Sequence, residues 1–453
     1  MNDLPCFKAY DIRGRVPDEL NLELARQIGL AFAAEFSPRT VCVGHDMRLS
    51  SRDMALVLMN GLEDGGVDVI DLGLCGTEEV YHATFSQAFD GGIMITASHN
   101  PKDWNGMKLV RAGAVPVSSD SGLGALKERI LKGELPIARK AGQRKRASFR
   151  QAYVDLLLSL VGDVNELAPL TIVANAGNGC VWPLMEALLK HLPDKLAQGF
   201  LPLHAEPDGT FPNGVPNPLL PENREETSRA VLKSKAQLGL AWDGDFDRCF
   251  FFDEQGTFIE SYYLIGLIAA YLLKKEPGAT ILHDTRLTWN TREQVEEAGG
   301  RPVESKTGHA FMKERMRLEN ALYGGEMSAH HYFRDFAFCD TGMLVWLFVW
   351  RIMSESGKPL SELVAERVRR FPASGEINRS VRDAGAVLQA ARKRYEKDAL
   401  SVTYIDGLSM DMGAWRFNLR SSNTEPLLRL NVESRGNAAL MQAKRDELLA
   451  LMV

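Results

Sequence analysis

LGLAWDGDFD, residues 238–247, closes an unbroken apolar run with three aspartates, and that layout decides the fold. An apolar run without polar alternation fits a strand buried on both faces. A polar cluster at its carboxyl end lies where open α/β sheets place their sites. Upstream, TIVANAGNG (171–179) has the same form, with a helical segment between the two. The layout recurs on either side, as VCVGHDMR (41–48) with GGIMITASHN (91–100), and as TILHDTR (280–286) with ALYGGEMSAHH (321–331). Strands alternating with amphipathic helices predict three related mixed-sheet α/β domains. The copies share layout rather than identity, and each carries a different chemical cluster.

The last part of the chain reads differently. After FPASGEIN (371–378) comes a helical stretch through Arg392, then strand-like TYIDG, WRFNLR and LLRLNVES, and a helical pattern from Ala438 to Leu449. Strands grouped with two helices predict a smaller C-terminal α+β domain. The expected boundaries are 1–145, 146–250, 251–368 and 369–453. AGQRKRASFR (141–150) reads as a solvated linker between the first two, and DEQG marks a turn near the next junction.

A chain of 453 residues exceeds one ordinary core. Hydrophobic residues at 45% and charged residues at 25% describe a globular protein, and a net charge of −6 gives no nucleic-acid footprint. Six scattered cysteines read as reduced thiols in a cytoplasmic protein. The amino terminus has no signal-peptide pattern, and the apolar stretches 262–273 and 343–350 fall short of the roughly 18 to 20 residues that span a bilayer. Both are expected to be buried helices, with no membrane partner.

In DGDFD, Asp243, Asp245 and Asp247 recur every second residue, so an extended segment would turn all three to one side. Clustered carboxylates raise one another's proton affinity unless a hard cation compensates them, and three oxygens with room for water and phosphate favour Mg²⁺. The calcium-loop register is absent. Arg248 follows directly, and reads either as a phosphate fork or as an ion pair to the aspartates. In TASHN (96–100), Ser98 is either a cap or a nucleophile presented on a loop before Pro101.

GEMSAHH (325–331) sets Glu326, Ser328 and His330 at alternate positions, a carboxylate, hydroxyl and imidazole suited to sugar hydroxyls. His331 reads as flanking or core-facing, and no zinc spacing accompanies the pair. RSSNTEP (420–426) combines Arg420 with Ser422, Asn423 and Thr424, which reads as an anion loop or a plain hairpin loop. KAYDIRG (8–14) brings Tyr10 near Arg13, and Lys108 follows a turn after the serine loop. Arg286 and His309 lie at polar turns, where His309 could move a proton or be structural. Neither GxxxxGK[ST] nor a clean GxGxxG turn occurs, which speaks against NTPases, kinases and dehydrogenases.

Together TASHNP, DGDFDR, GEMSAHH and RSSNTEP, with KAYDIRG, resemble the α-D-phosphohexomutase family in its bacterial phosphomannomutase/phosphoglucomutase branch. The resemblance spans essentially the whole chain. It implies four domains around a central cleft, serving in order for phosphoserine, metal, sugar recognition and phosphate binding. Ser98 would carry the phosphoryl group and, with Asp243, Asp245 and Asp247, hold Mg²⁺. Tyr10, Arg13, His99, Lys108 and Arg248 would surround the transfer. Glu326, Ser328 and His330 would read the sugar, Arg420, Ser422, Asn423 and Thr424 would hold the distal phosphate, and Arg286 and His309 would complete the cleft.

The implied activity interconverts mannose 6- and 1-phosphates, and glucose 6- and 1-phosphates, through a hexose 1,6-bisphosphate that is both intermediate and activator. Nucleotide-sugar and polysaccharide biosynthesis would draw on it, and a monomer is the default with a dimer open. Arg286 stands where several relatives have lysine, Ala329 where glycine is common, and Glu425 adds an acidic residue to the phosphate loop. The alternatives are a phosphoglucosamine mutase, which TASHNP fits less well, and a phosphosugar-binding protein without turnover.

Overall fold

The computed structural model describes residues 4–421 and 427–452, and the chain folds as two compact units. The first comprises residues up to Phe258 together with Tyr332–Gly357; the second comprises Ile259–His331 and residues from Lys358 onward.

The first unit carries the serine and aspartate motifs on two sheets. In one, Thr40–His45 runs parallel to Asp68–Leu74 on one side and Gly91–Ile95 on the other. Trp104–Arg111 returns antiparallel beside Gly91–Ile95, and Ile12–Arg15 pairs antiparallel beyond it. Every residue of Gly91–Ile95 is buried, which is why GGIMI shows no alternation. Helix Leu22–Phe36 starts where the Asn21 side chain accepts the Leu24 N–H at 2.9 Å, and packs against Ser51–Asp64. The stretch read as a linker differs from expectation in its backbone. Arg144–Arg146 is a strand parallel to Val69–Asp71, while Lys145 and Arg146 keep their side chains exposed. An edge strand satisfies its ladder on one side and can present charge to water, so charge patterning describes the side chains and not the backbone.

The second sheet of this unit sets Phe200–Leu203, Ile172–Asn175 and Leu238–Trp242 in parallel, with Cys249–Phe252 antiparallel at Leu238–Trp242. Helix Gly342–Ser356, buried from Gly342 to Met353, packs against Arg150–Val161. Thr341 caps it, its hydroxyl accepting the Met343 and Leu344 N–H groups at 3.2 and 3.0 Å. Among the described residues, no helix is long and apolar enough to cross a membrane. All six cysteines are buried free thiols.

In the second unit, Thr280–Asp284 lies parallel to Arg301–Ser305 and to Tyr323–Gly325, and helices Ser261–Leu273 and Trp289–Glu297 pack together. The C-terminal sheet runs antiparallel throughout, in the order Ile377–Ser380, Leu427–Ser434, Trp415–Ser421, Leu408–Asp411, Ser401–Thr403. Helices Ala384–Tyr395 and Ala438–Leu449 contribute Val387, Tyr395 and Leu448 to a core with Phe417, Leu430 and Val432. TYIDG is only partly strand: the ladder stops at Thr403, and Gly407 (φ 73°) makes the turn into Leu408–Asp411.

Candidate active site

The serine loop leaves the end of Gly91–Ile95. Thr96 Oγ1 accepts the Ser98 N–H at 2.8 Å, and the Asn100 N–H returns to the Ala97 carbonyl at 2.9 Å. Ser98 has φ 49°, a left-handed backbone that costs an L-residue about 1–2 kcal/mol. A strained residue persists only where its surroundings over-determine it. Ser98 is buried, and its hydroxyl donates to Asp243 Oδ2 at 2.6 Å. His99 Nδ1 lies 3.0 Å from the same Oγ, and Arg248 Nη2 donates to it at 3.1 Å.

The three aspartates converge, though by a different route from the extended segment expected. The chain turns at Gly244–Asp245, and Phe246 takes φ 51°. One carboxylate oxygen from each of Asp243, Asp245 and Asp247 lies within 4.8 Å of the others, all buried. Two glycines permit this close fit. A Cβ on Gly244 would come 2.6 Å from the Ser98 carbonyl oxygen, and one on Gly76 would come 2.0 Å from the Phe246 ring.

Three carboxylates face two cations. Lys108 Nζ donates to Asp245 Oδ2 at 2.6 Å and also to Asp247. Arg248 donates to Asp243 Oδ2 through Nη2 at 2.6 Å and Nε at 3.0 Å, and to His99 Nδ1. Burial pushes the Asp243 carboxyl up, Arg248 opposes it, and Asp247 and Asp245 add to the rise. Burial and Asp247 push Asp245 the same way, but Lys108 and Thr77 bring it below its ordinary value. Burial, then Arg248 and Arg13, hold His99 well below the usual imidazole range, so its ring is neutral. The cluster fits a hard divalent cation on its own chemistry: all donors are oxygens, and the buried Asp245 Oδ1 has no hydrogen-bond partner.

Arg13 reaches the same loop from Ile12–Arg15. It donates to Asp11 Oδ2 and Asn100 Oδ1, each at 2.7 Å, and half-buried Tyr10 acts on it electrostatically. Several members escape sequence reasoning. Thr77 Oγ1 donates to Asp245 Oδ2 at 2.5 Å from the start of helix Thr77–Ser86, and Asp11 and Asn100 hold Arg13. Asp11 and Asn100 sit inside quoted motifs, whereas Thr77 has no local signal.

The second unit holds a separate polar cluster. Arg286 donates to Asp284 Oδ2 through Nε at 2.9 Å and Nη2 at 2.5 Å, to Glu376 Oε2 at 3.2 Å and to Ser328 Oγ at 3.3 Å. Residues 326–330 form a tight turn, closed by the Glu326 N–H on the His330 carbonyl at 2.9 Å, with Ala329 at φ 72°. Glu326 accepts the Gly308 N–H at 2.8 Å, His330 Nδ1 lies 3.4 Å from its other oxygen, and the His309 and His330 rings are 6.4 Å apart. His331 is core-facing: it is buried and bonds the Tyr323 hydroxyl at 2.5 Å.

Arg420 donates to Glu376 at 3.0 Å, and Arg429 lies 3.5 Å from the other Glu376 oxygen. Burial pushes the Glu376 carboxyl up, but Arg286, Arg420 and Arg429 outweigh it and hold it down at about 2. Ser422, Asn423 and Thr424 lie outside the described residues.

Four profiles of one family match the chain in sequence order. Phosphoglucomutase/phosphomannomutase alpha/beta/alpha domain I matches residues 5–135, domain II 151–256, domain III 260–371 and the C-terminal domain 376–450. A phosphomannomutase of Salmonella montevideo is 54% identical over 455 residues, covering 100% of both chains. A Xanthomonas campestris protein named among phosphohexose mutases is 54% identical over 99% of both chains. A solved phosphoglucomutase/phosphomannomutase family protein from Burkholderia thailandensis superposes with a TM-score of 0.87 at 30% identity, covering 100% of this chain and 97% of that one.

Proposed function

Because the chain belongs to the phosphoglucomutase/phosphomannomutase family of α-D-phosphohexomutases, intramolecular phosphotransferases of hexose phosphates, we propose that it interconverts mannose 6- and 1-phosphates, and glucose 6- and 1-phosphates, through phospho-Ser98 and a hexose 1,6-bisphosphate. The observation that carries this reading is the Ser98 hydroxyl held 2.6 Å from Asp243 and 3.1 Å from Arg248, beside the convergent carboxylates.

In the cycle, a free sugar hydroxyl attacks the phosphorus of phospho-Ser98. The new sugar O–P bond forms as the Ser98 Oγ–P bond breaks, and the hydroxyl proton leaves to a base. The bisphosphate then reorients, and its other phosphate returns to Ser98 by the reverse exchange. Arg248 is placed to balance charge at Ser98 Oγ as that bond breaks. Neutral His99 accepts from Arg248 at the same Nδ1 that lies 3.0 Å from Oγ, and so holds that guanidinium beside the serine. Lys108 compensates Asp245 and Asp247. Asp243, Asp245 and Asp247 would hold Mg²⁺, with Ser98 beside them, and the ion when bound supplies positive charge to phosphoryl oxygens.

Glu326, Ser328 and His330 offer the acceptor and donor set that sugar hydroxyls need, and Arg286 and Arg420, with Ser422, Asn423 and Thr424, are assigned to the distal phosphate. Arg13 reaches the serine loop at Asn100 with Tyr10 acting on it electrostatically, and His309 adds a second imidazole near His330. We assign the protein to the cytoplasm as a monomer that supplies sugar 1-phosphates for nucleotide-sugar and polysaccharide synthesis.

The test is a coupled assay of phosphorylated protein with mannose 1-phosphate and glucose 1-phosphate in parallel, with Mg²⁺ and catalytic bisphosphate. Turnover of both is expected. Activity on glucosamine 6-phosphate alone would reassign the substrate, and activity on none would leave a binding protein.

A further inference from the structure

Two corners of the chain repeat each other. HDMR (45–48) follows the strand Thr40–His45, and HDTR (283–286) closes the strand Thr280–Asp284. At each, the histidine Nδ1 lies against the next residue's carbonyl oxygen, at 2.9 Å for His45 and 2.8 Å for His283. Each aspartate Oδ1 accepts the N–H of the arginine two residues on, at 2.9 Å in both cases. This is one turn built twice. Each arginine is buried, and each reaches the loop that follows the parallel neighbouring strand. For Arg286 that is the loop of Ser328; for Arg48 it is the loop of Ser98.

The two guanidinium groups use their donors differently. Arg286 bonds carboxylates and a hydroxyl, groups a ligand can replace. Arg48 bonds main-chain carbonyls: Ser98 at 2.9 Å, Asn100 at 2.6 Å, Pro101 at 2.7 Å and Trp104 at 2.9 Å. Its own position is fixed in turn. Asp46 lies 3.4 Å from Nε and accepts the Ser51 hydroxyl at 2.5 Å, and the Phe211 ring sits 5.2 Å from the guanidinium carbon. Thr96 holds the Ser98 N–H, and Arg48 holds the Ser98 carbonyl. Between them they bracket the one residue of the loop with a left-handed backbone.

We propose that Arg48, braced by Asp46, is a positioning residue of the phosphoryl-transfer reaction: it clamps residues 98–104 so that Ser98 Oγ stays aimed at Asp243 and Arg248. The inference rests on the phosphoserine reading of Ser98. Arg48 touches neither substrate nor reacting atom. A lysine keeps the charge but offers three donors from one nitrogen, and lacks the planar fork that spans four carbonyls.

The experiment compares Arg48→Lys and Asp46→Asn with wild type in the Mg²⁺-loaded, bisphosphate-primed full chain. In Arg48→Lys, kcat falls on the order of 100-fold while KM for hexose monophosphate moves by no more than about threefold. Amide hydrogen exchange over residues 97–104 quickens, while exchange elsewhere in the first unit stays as in wild type. Asp46→Asn, which keeps the arginine and loosens its brace, moves both readouts the same way by less. A merely structural arginine would lower the thermal midpoint and the folded fraction without changing kcat per folded molecule. Wild-type kcat and wild-type loop protection in folded Arg48→Lys overturn the proposal; if that variant does not fold, the same result in Asp46→Asn overturns it. A wild-type protein inactive on every hexose phosphate defeats the functional reading instead, and the exchange data then decide the clamp alone.

Discussion

Ser98 donates its hydroxyl to the same Asp243 oxygen that accepts from Arg248 Nη2, both at 2.6 Å. One carboxylate oxygen thus couples the serine to its nearest cation. Replacing Ser98 by alanine removes the proposed carrier and its hydroxyl contacts to Asp243, His99 and Arg248, yet leaves the φ 49° backbone bracketed as before. Ser98→Ala should lower turnover by at least about a thousandfold with little change in thermal midpoint. Intact mass after incubation with hexose 1,6-bisphosphate checks the cause: wild type gains one phosphoryl group and the variant none. Bisphosphate-dependent turnover by the variant would end the carrier assignment.

Asp245 is where the metal proposal is most exposed. Its Oδ2 is occupied by Lys108 and Thr77, while its buried Oδ1 has no hydrogen-bond partner. Asp245→Asn takes a charge from the cluster and should weaken Mg²⁺ binding by at least the 10- to 100-fold typical of losing an outer-shell partner. Calorimetric Mg²⁺ titration and the Mg²⁺ dependence of activity should shift together. An unchanged titration would remove Asp245 from the ligand set.

The serine–aspartate contact joins two motifs that are each conspicuous in sequence, because polar residues at the ends of unbroken apolar runs stand out. What the sequence could not show is how those loops bend. Spacing by two suggested an extended face for Asp243, Asp245 and Asp247, whereas a left-handed Phe246 and two close-packed glycines bring them together. The partners that hold the loops lack local patterns altogether. Thr77 is 168 positions from Asp245, and Glu376 is 90 from Arg286, so only the folded chain connects them. HDMR and HDTR read as strand ends in the sequence, but which carbonyls Arg48 reaches depends on the path of residues 98–104.

Gly244 tests how tightly the two loops are matched. With a Cβ 2.6 Å from the Ser98 carbonyl oxygen, Gly244→Ala must push the serine and aspartate loops apart. Overpacking of this kind costs about 1–3 kcal/mol, but the larger effect should fall on chemistry, because a 1 Å displacement of a reacting group can cost on the order of 100-fold in rate. A large drop in kcat with a small drop in thermal midpoint is expected. Equal kcat in variant and wild type would mean that the loops have slack.

Ala329 carries φ 72° in the turn of Glu326, Ser328 and His330, where glycine would be unstrained. Ala329→Gly should relieve about 1 kcal/mol of backbone strain, less what the freer unfolded chain gives back. A small rise in the thermal midpoint is expected, with KM for hexose monophosphate shifting as the turn gains freedom. A fall of about 1 kcal/mol in stability would show that the alanine methyl contributes more by packing than it costs in strain.

Glu376 offers a pH test within the second unit. Burial alone would raise its proton affinity, but Arg286, Arg420 and Arg429 hold the carboxyl at about 2, against an ordinary 4.5. A depressed carboxyl contributes stability that is fully present above its unfolded value and is lost as pH falls through the folded one. At neutral pH that contribution is on the order of 3 kcal/mol. Glu376→Gln lacks it at every pH, so the gap in unfolding midpoint between wild type and variant should be widest at pH 7. It should narrow as pH drops from about 5 toward 2, over the interval between the unfolded and folded values. Other carboxylates titrate in both proteins and largely cancel in that difference. Denaturant melts of the pair across this range decide the matter: a gap that stays constant with pH would mean that the three arginines do not hold Glu376 as an ion.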